Sequence, residues 1–543
     1  MTSPAQNTEP EKQPRSTTIP LSIAIAAVAC LYFLIPNYRY LSDGLIAAVR
    51  MRDTPGWFVH PNHPLHPLLL QIIYRALNLS KSGLDELEVL HLWSIIMGIT
   101  GCIAFVSAMR TEIKSTFAAM IGLGFYAFTN AIWFFNVAAN PQATAVTPQV
   151  LALLMIAMLL NRDQFSARHM IALGLVTSIA ILSSQLNLVL LAPVAAAVML
   201  TEGPLRGKFI SFFIYLLTVL IATLSLYILI AVPFVGIKTP QGFIEWQHSY
   251  VYSGRWWATN IPDIIQRNAI GLAKVHIAGA HDPNGIFGNW LNGFPSPLWF
   301  ISLLVRIGQG YVLIFILVET FRALYLFIKG KIRTPLQWIG LATFLPIFLF
   351  SIVWVPETFH YRIMYIPGLI LFLLPSITTR YGLDRFNFRK SWPVLLFILF
   401  LFSANFVMQI LPNADPDNNP YTNDLKTLSN VGDKDLVIFS GTDLGMTRGL
   451  YVRYFLGCDI EFSNELLGEI ESDPEAVVDE LENVKRRGGM ILIHKDAISV
   501  SDFKEVNSMY GTELDPADLI AFFDKNTVTV GYYNASSYIL VIP

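Results

Sequence analysis

The feature that most constrains this chain is a series of apolar runs, each close to the ~20 residues an α-helix needs to cross a hydrocarbon core. They fall at about 19–36, 88–109, 115–135, 144–160, 167–183, 185–201, 209–233, 306–328, 335–355, 359–378 and 391–411. Inside lipid each segment must satisfy its own backbone N–H and C=O groups, so about eleven such runs dictate a helical bundle. Of 543 residues, 54% are hydrophobic and 14% charged, a balance foreign to soluble proteins of that length. The chain therefore reads as a polytopic α-helical membrane protein. A net charge of −2 supplies no basic footprint for nucleic acid. Cys30, Cys102 and Cys458 form no disulfide framework. Residues 1–18, polar and rich in Pro and Thr, read as a disordered tail before a retained span.

Charge sets the expected orientation. Arg110/Lys114, Arg162/Arg168, Arg206/Lys208, Arg322/Lys329/Lys331/Arg333 and Arg380/Arg385/Arg389/Lys390 all fall on one side of an eleven-span bundle. The positive-inside rule makes that side cytoplasmic. The loops 37–87 and 234–300, and residues 412–543, are then outside, with the N-terminus inside and 19–411 forming the membrane domain. The division between the runs at 167–183 and 185–201 rests only on Ser183-Ser184-Gln185 and Asn187.

The first outer loop breaks the charge rule, holding Arg39, Arg50, Arg52 and Arg75 against the bias. Such cations fit either an anionic ligand or interfacial snorkelling. Ser42 to Arg52 reads as an amphipathic helix with Leu45, Ile46, Ala48 and Val49 toward lipid. Asp43 at its start fits a cap as well as chemistry at the membrane edge. Three His-Pro pairs follow: His60-Pro61, His63-Pro64 and His66-Pro67. Proline pushes its predecessor to extended geometry, where rings three residues apart stand about 9 Å from one another. A zinc site, with ligand nitrogens roughly 3–4 Å apart, needs a tight turn at Pro61-Asn62 or Pro64-Leu65. Rings lining a groove and donating to phosphate or sugar are the favoured reading.

Two further polar concentrations lie outside. The long loop carries Trp246, His248, Arg255, Trp256 and Trp257, which fit an interfacial belt or stacking on a sugar or isoprenoid. Glu357, His360 and Arg362 sit together near a span end, where Glu357 and Arg362 also make a plausible ion pair. After Leu411 a turn-rich linker leads to strand patterns at 435–440, DIEF, MILIHK, VTVGYYN and SSYILVIP, interleaved with helices. A small C-terminal α/β domain is expected. Gly441-Thr442-Asp443-Leu444-Gly445 joins strand to helix and reads as a tight turn, lacking the dinucleotide fingerprint.

The run Asp43-Gly44-Leu45-Ile46-Ala47-Ala48, followed by His60-Pro-Asn-His-Pro-Leu-His-Pro-Leu-Leu, resembles the first outer loop of GT-C membrane glycosyltransferases. It is most similar to the protein O-mannosyltransferase-like subgroup. Phe128-Thr-Asn-Ala-Ile-Trp133 and the hairpin from Gly174 to Leu200 extend the likeness over about the first 200 residues. Asn140-Pro-Gln142-Ala-Thr-Ala departs from it, having no acid where that subgroup carries one, and the second Pro-Gly of the loop is missing. The resemblance implies a GT-C-like fold and inverting transfer of a sugar from a polyprenyl-phosphate-linked lipid to a hydroxyl of a protein or glycan outside the membrane. It implies a bacterial cytoplasmic membrane, or the endoplasmic reticulum in a eukaryote. Lipid phosphate leaves without a general acid, while the acceptor needs a base, the role given to Asp43. Arg50, Arg52, Arg255, Arg362, His60 and His63 are candidates for the phosphate. His66, Trp246, His248, Trp256, Trp257, Glu357 and His360 are expected to line the substrate. No metal ligand is assigned, although a divalent cation is compatible with the family. The competing class is a non-catalytic transporter or scaffold in envelope assembly.

Overall fold

The computed structural model describes residues 19–53, 56–77, 79–161, 165–248, 257–258, 260–278, 298–385, 387–510, 512–533 and 537–542. Among these residues seven helices are long and apolar enough to cross a membrane. An eighth span arises if α5 (Thr116–Phe128) and α6 (Asn130–Asn136), bent by 68°, count as one. Three shorter apolar helices, α1 (Ile19–Leu34), α8 (Ala167–Ser183) and Gln185–Leu200, occupy the remaining runs. The doubtful division is real: Ser184 is extended (φ −167°, ψ 128°) and a 3₁₀ turn, Gln185–Leu190, separates α8 from α9 (Leu191–Leu200).

The spans differ in what they face. In α10 (Leu205–Val235) only 22% of the apolar window is buried, and Phe213, Leu220 and Leu229 point away from the protein, as lipid-facing residues do. The Phe359–Tyr381 helix is 94% buried and forms the centre of the bundle. It packs closely on the helix Pro335–Val353: a Cβ on Gly340 would stand 2.4 Å from the Phe372 nitrogen. Small residues at such crossings replace the hydrophobic drive that lipid cannot supply.

Residues 436–542 build a five-stranded sheet in the order β2-β1-β3-β5-β4. Here β1 is Leu436–Phe439, β2 Asp459–Phe462, β3 Ile491–His494, β4 Val528–Tyr533 and β5 Tyr538–Ile542. β1 pairs parallel with β2 and β3, while β5 runs antiparallel to β3 and β4. The sequence LVIF of β1 is buried throughout, as a central parallel strand requires.

One cluster of buried side chains joins this sheet to the first loop. Helix α2 (Ser42–Asp53) places Leu45, Ala48, Val49 and Met51 against Leu450, Tyr451 and Tyr454. These last belong to the helix Asp443–Leu456, which follows β1. The expected lipid-facing stripe of α2 is therefore corrected: Leu45, Ala48 and Val49 are at most 5% exposed, because the sheet domain, and not lipid, covers them. Polar pins hold the same joint. The Arg52 guanidinium donates to the Tyr454 and Arg453 carbonyls, and Asp53 pairs with Arg453 at 3.0 Å. Tyr74 and Tyr454 hydroxyls donate to the two oxygens of buried Glu86 at 2.8 and 3.1 Å.

Candidate active site

Asp43 lies in the first turn of α2. The helix start is pressed against residues 137–139: Asn37 N–H donates to Val137 O at 2.8 Å, and a Cβ on Gly44 would meet Ala139 O at 1.8 Å. Only glycine allows that approach. Among the described residues the Asp43 carboxylate has no hydrogen-bond or ion-pair partner, so it does not cap α2. It opens instead on a cavity of about 40 Å³ shared with Phe58, His60, His63, His66 and Pro141.

The His-Pro loop is folded more tightly than proline alone predicts. His63 N–H donates to His60 O and His66 N–H to His63 O, each at 3.3 Å, forming two successive turns. The His60 and His63 rings stack with centroids 4.2 Å apart and planes 10° from parallel. The polyproline spacing of about 9 Å is thus overturned, because tertiary hydrogen bonds hold the loop on both flanks. Gln71 brackets Phe58, accepting from its N–H at 3.0 Å and donating to its carbonyl at 2.7 Å. Gln185 donates to Pro61 O at 3.2 Å and Tyr227 OH does the same at 3.2 Å. The Gln185 N–H donates to Asn62 O at 3.1 Å. Burial pushes His60, His63 and His66 down to about 3, with the neighbouring imidazoles adding to the effect on His60 and His63. They are neutral at physiological pH. Stacked rings do not converge on one point, and among the described residues no group of three His, Cys, Asp or Glu is arranged to hold a metal.

His66 is 1% exposed. Its Nδ1 lies 2.9 Å from Thr144 Oγ1, which also accepts from Trp93 Nε1 at 2.9 Å. Among the described residues its Nε2 has no partner. Thr144 belongs to the acid-free stretch after Asn140, which reaches the site through this hydroxyl and through Pro141.

Behind the His-Pro loop, Trp246 on helix Pro240–His248 joins Trp57, His60, Pro61 and Phe234 around an open hollow. Tyr227, Phe243 and Trp246 are in mutual ring contact and connect it to an apolar groove of about 500 Å³ lined by Leu188, Leu191, Leu216, Leu220 and Leu224. His248, last in its helix, is exposed.

His360 packs on Phe135 with ring centroids 5.2 Å apart. Asp43, Asp443 and Lys274 all lie within electrostatic range of it. Asp443 and Lys274 were not legible as site residues. Asp443 follows the cap Thr442, whose hydroxyl accepts from Gly445 N–H at 3.1 Å; only the docking of the sheet domain carries this turn within electrostatic range of His360. The sequence signal was the strand-to-helix turn alone.

Other expected residues are engaged elsewhere. Arg362 is fully buried and donates to Pro356 O at 2.9 Å, to Ser351 O at 3.0 Å and to Asn268 Oδ1, while its Nη1 has no partner among the described residues. Glu357 pairs with Arg267 at 2.6 Å, not with Arg362. Arg52 caps the Asp443–Leu456 helix, as described above. Trp257 bridges Trp354 in a short antiparallel contact. Arg50 is exposed on α2. Arg255 and Trp256 lie outside the described residues.

No family model matches the chain, and no curated protein matches it in sequence. Solved structures do. The chain is similar to the Archaeoglobus fulgidus oligosaccharyltransferase in complex with Zn and sulfate, at 15% identity and a TM-score of 0.52, over 96% of this chain and 72% of that one. The same enzyme tethered to an acceptor peptide containing the NVT sequon gives 13% identity and a TM-score of 0.57 over 98% and 75%. ArnT from Cupriavidus metallidurans, bound to undecaprenyl phosphate, gives 13% identity and a TM-score of 0.44 over 96% and 98%. The chain is an integral membrane protein with the GT-C fold and a small C-terminal sheet domain.

Proposed function

We propose that this protein is a glycosyltransferase that moves a sugar, with inversion, from a polyprenyl-phosphate-linked donor to an acceptor hydroxyl on the outer side of the membrane. The observation that carries the reading is the Asp43 carboxylate, unengaged among the described residues and held in a cavity of neutral imidazoles beside an apolar groove. Asp43 accepts the proton of the attacking hydroxyl. The imidazole N–H groups receive charge gathering on the departing phosphate without titrating near neutrality. Arg50, exposed on α2, is a cation for the lipid headgroup. The groove through Tyr227 and Trp246 suits an isoprenoid tail, and Trp246, His248 and His360 border the substrate. A single base without a close carboxylate partner on the donor side fits one displacement. The first-loop motif favours the protein O-mannosyltransferase-like subgroup.

A transporter would expose ionisable groups within its spans. The buried Glu319 is tied to Arg322 at 3.1 Å, to Arg380 and to Tyr381 at 2.9 Å, which favours the enzyme. The test is purification of the parent and Asp43→Asn in lipid, with mass spectrometry of retained lipid and transfer assayed from polyprenyl-phosphate sugars. Donor retained by both, with transfer by the parent alone, supports the reading; no lipid and no transfer in either refutes it. Sidedness is tested with a cysteine introduced at exposed Ser472, since Cys458 is buried. Labelling only after the inner face is opened would reverse the orientation.

A further inference from the structure

We infer that His66 is a hydrogen-bond donor of fixed polarity, its Nε2–H turned into the Asp43 cavity to receive a phosphate oxygen, with Trp93 and Thr144 as the residues that set this polarity. The inference rests on the proposed function for the identity of the ligand, but not for the state of the ring.

The argument is one of protons. An indole N–H only donates, so Trp93 Nε1 takes one acceptor site of Thr144 Oγ1 at 2.9 Å. The hydroxyl proton of Thr144 must then go to an acceptor, and among the described residues the only other polar atom bonded to this oxygen is His66 Nδ1, at 2.9 Å. A threonine that donates to Nδ1 leaves the proton of a neutral imidazole on Nε2. That atom is buried and without a partner, on a ring that lines the cavity with Asp43. A buried donor with nothing to bond is disfavoured, and a ligand oxygen relieves it.

The chemistry of the cavity selects the ligand. Asp43 accepts only, so it orients the acceptor hydroxyl by taking its proton. A donor placed on that hydroxyl oxygen would draw away the electron pair needed for attack. A phosphate oxygen has the opposite need: beside a carboxylate it requires donors, and its demand grows as the glycosidic C–O bond breaks and the electron pair stays on the phosphate. Because burial holds His66 neutral across the working pH range, it cannot deliver a proton there and acts by position. It is a positioning residue toward the leaving group, not an acid.

The experiment uses the full-length protein in lipid nanodiscs, ¹⁵N-labelled at histidine, with undecaprenyl phosphate as the probe. Ring-nitrogen shifts are expected to report His66 protonated at Nε2 in the parent and in Thr144→Ser, and mixed or reversed in Thr144→Val. Trp93→Phe, which leaves the Thr144–His66 pair in place but frees an acceptor site on the hydroxyl, is expected to give a mixture. Undecaprenyl phosphate is expected to bind Thr144→Val about tenfold more weakly than the parent, with Thr144→Ser restoring binding. A parent ring protonated at Nδ1 overturns the inference. So does equal binding by the parent and Thr144→Val. A parent with the expected tautomer that binds no undecaprenyl phosphate refutes the phosphate assignment and the proposed function together.

Discussion

Two polar loops at the sheet-bearing end of the bundle look alike in sequence and have opposite fates. The stretch 356–362 ties its charges to the fold: Arg362 donates through Nε and Nη2 to two carbonyls and Asn268, with Nη1 left without a partner among the described residues, and Glu357 pairs with Arg267. Among the described residues the loop from Asp43 to His66 leaves the Asp43 carboxylate unbonded and His66 Nε2 buried without a partner, while its backbone is held by Gln71, Gln185 and Tyr227. Buried polar groups are normally bonded. The difference is that between a clamp and a candidate site: in the clamp the charged side chains fix the backbone, and in the candidate site Gln71, Gln185 and Tyr227 fix it, leaving the Asp43 carboxylate unbonded among the described residues.

The comparison breaks most directly at Asp43. Asp43→Asn is expected to lower turnover by ~10²–10⁴ with thermal unfolding unchanged, the loss typical of a missing general base. Full turnover in this variant, or its loss in Asp53→Asn, would place the base elsewhere. Asp53 serves as the contrast because Arg52 and Arg453 hold its carboxylate below the usual range, against the opposing effect of partial burial.

The clamp should fail in stability instead. Arg362→Gln removes several charge-assisted bonds from a dry setting and is expected to cost about 3 kcal/mol or more, read as a lower unfolding midpoint. A normal midpoint with impaired donor binding would move Arg362 into the site.

The third effect is on pH. The folded chain holds His60, His63 and His66 near 3, below the ~6.5 of an unfolded imidazole. The unfolded state then binds more protons between these values, so stability falls as pH drops from about 6.5 toward 3 and is constant with respect to these rings above it. His63→Asn should flatten that slope. A step in turnover near neutrality that disappears in His63→Asn would show a titrating ring and count against a neutral donor.

The smallest expected change is at Glu357. Its pair with Arg267 is partly exposed, so Glu357→Gln should alter stability by ~0–1 kcal/mol and leave turnover within about twofold of the parent. A loss comparable to that of Asp43→Asn would erase the contrast between the loops.

Much of the fold was legible because its signals are local. Run length announces a span, as at 88–109, and residue type announces a strand, as in LVIF and ILIH. The break at Ser183-Ser184-Gln185 was visible as polarity inside an apolar stretch. Asp43 and the three His-Pro pairs stood out for the same reason, being polar where little else in the membrane part is. By contrast, the lipid-facing reading of α2 failed because an apolar stripe records that a face is covered and not by what. Here the covering surface is more than 400 residues away in the chain, at Tyr451 and Tyr454.

What the sequence by itself determined is the membrane-spanning helical architecture, the small sheet domain and the loop that carries Asp43, since each follows from periodicity, run length and composition. Tertiary structure alone decided which polar groups remain free. Whether Arg362, Glu357 or Arg52 can meet a ligand depends on carbonyls and carboxylates brought to it by other elements. Whether His66 presents a proton depends on a threonine 78 residues away and a tryptophan beyond it. Hydrogen bonds are satisfied in space, so the identity of a side chain states what it can bond and only the fold states what it has already bonded.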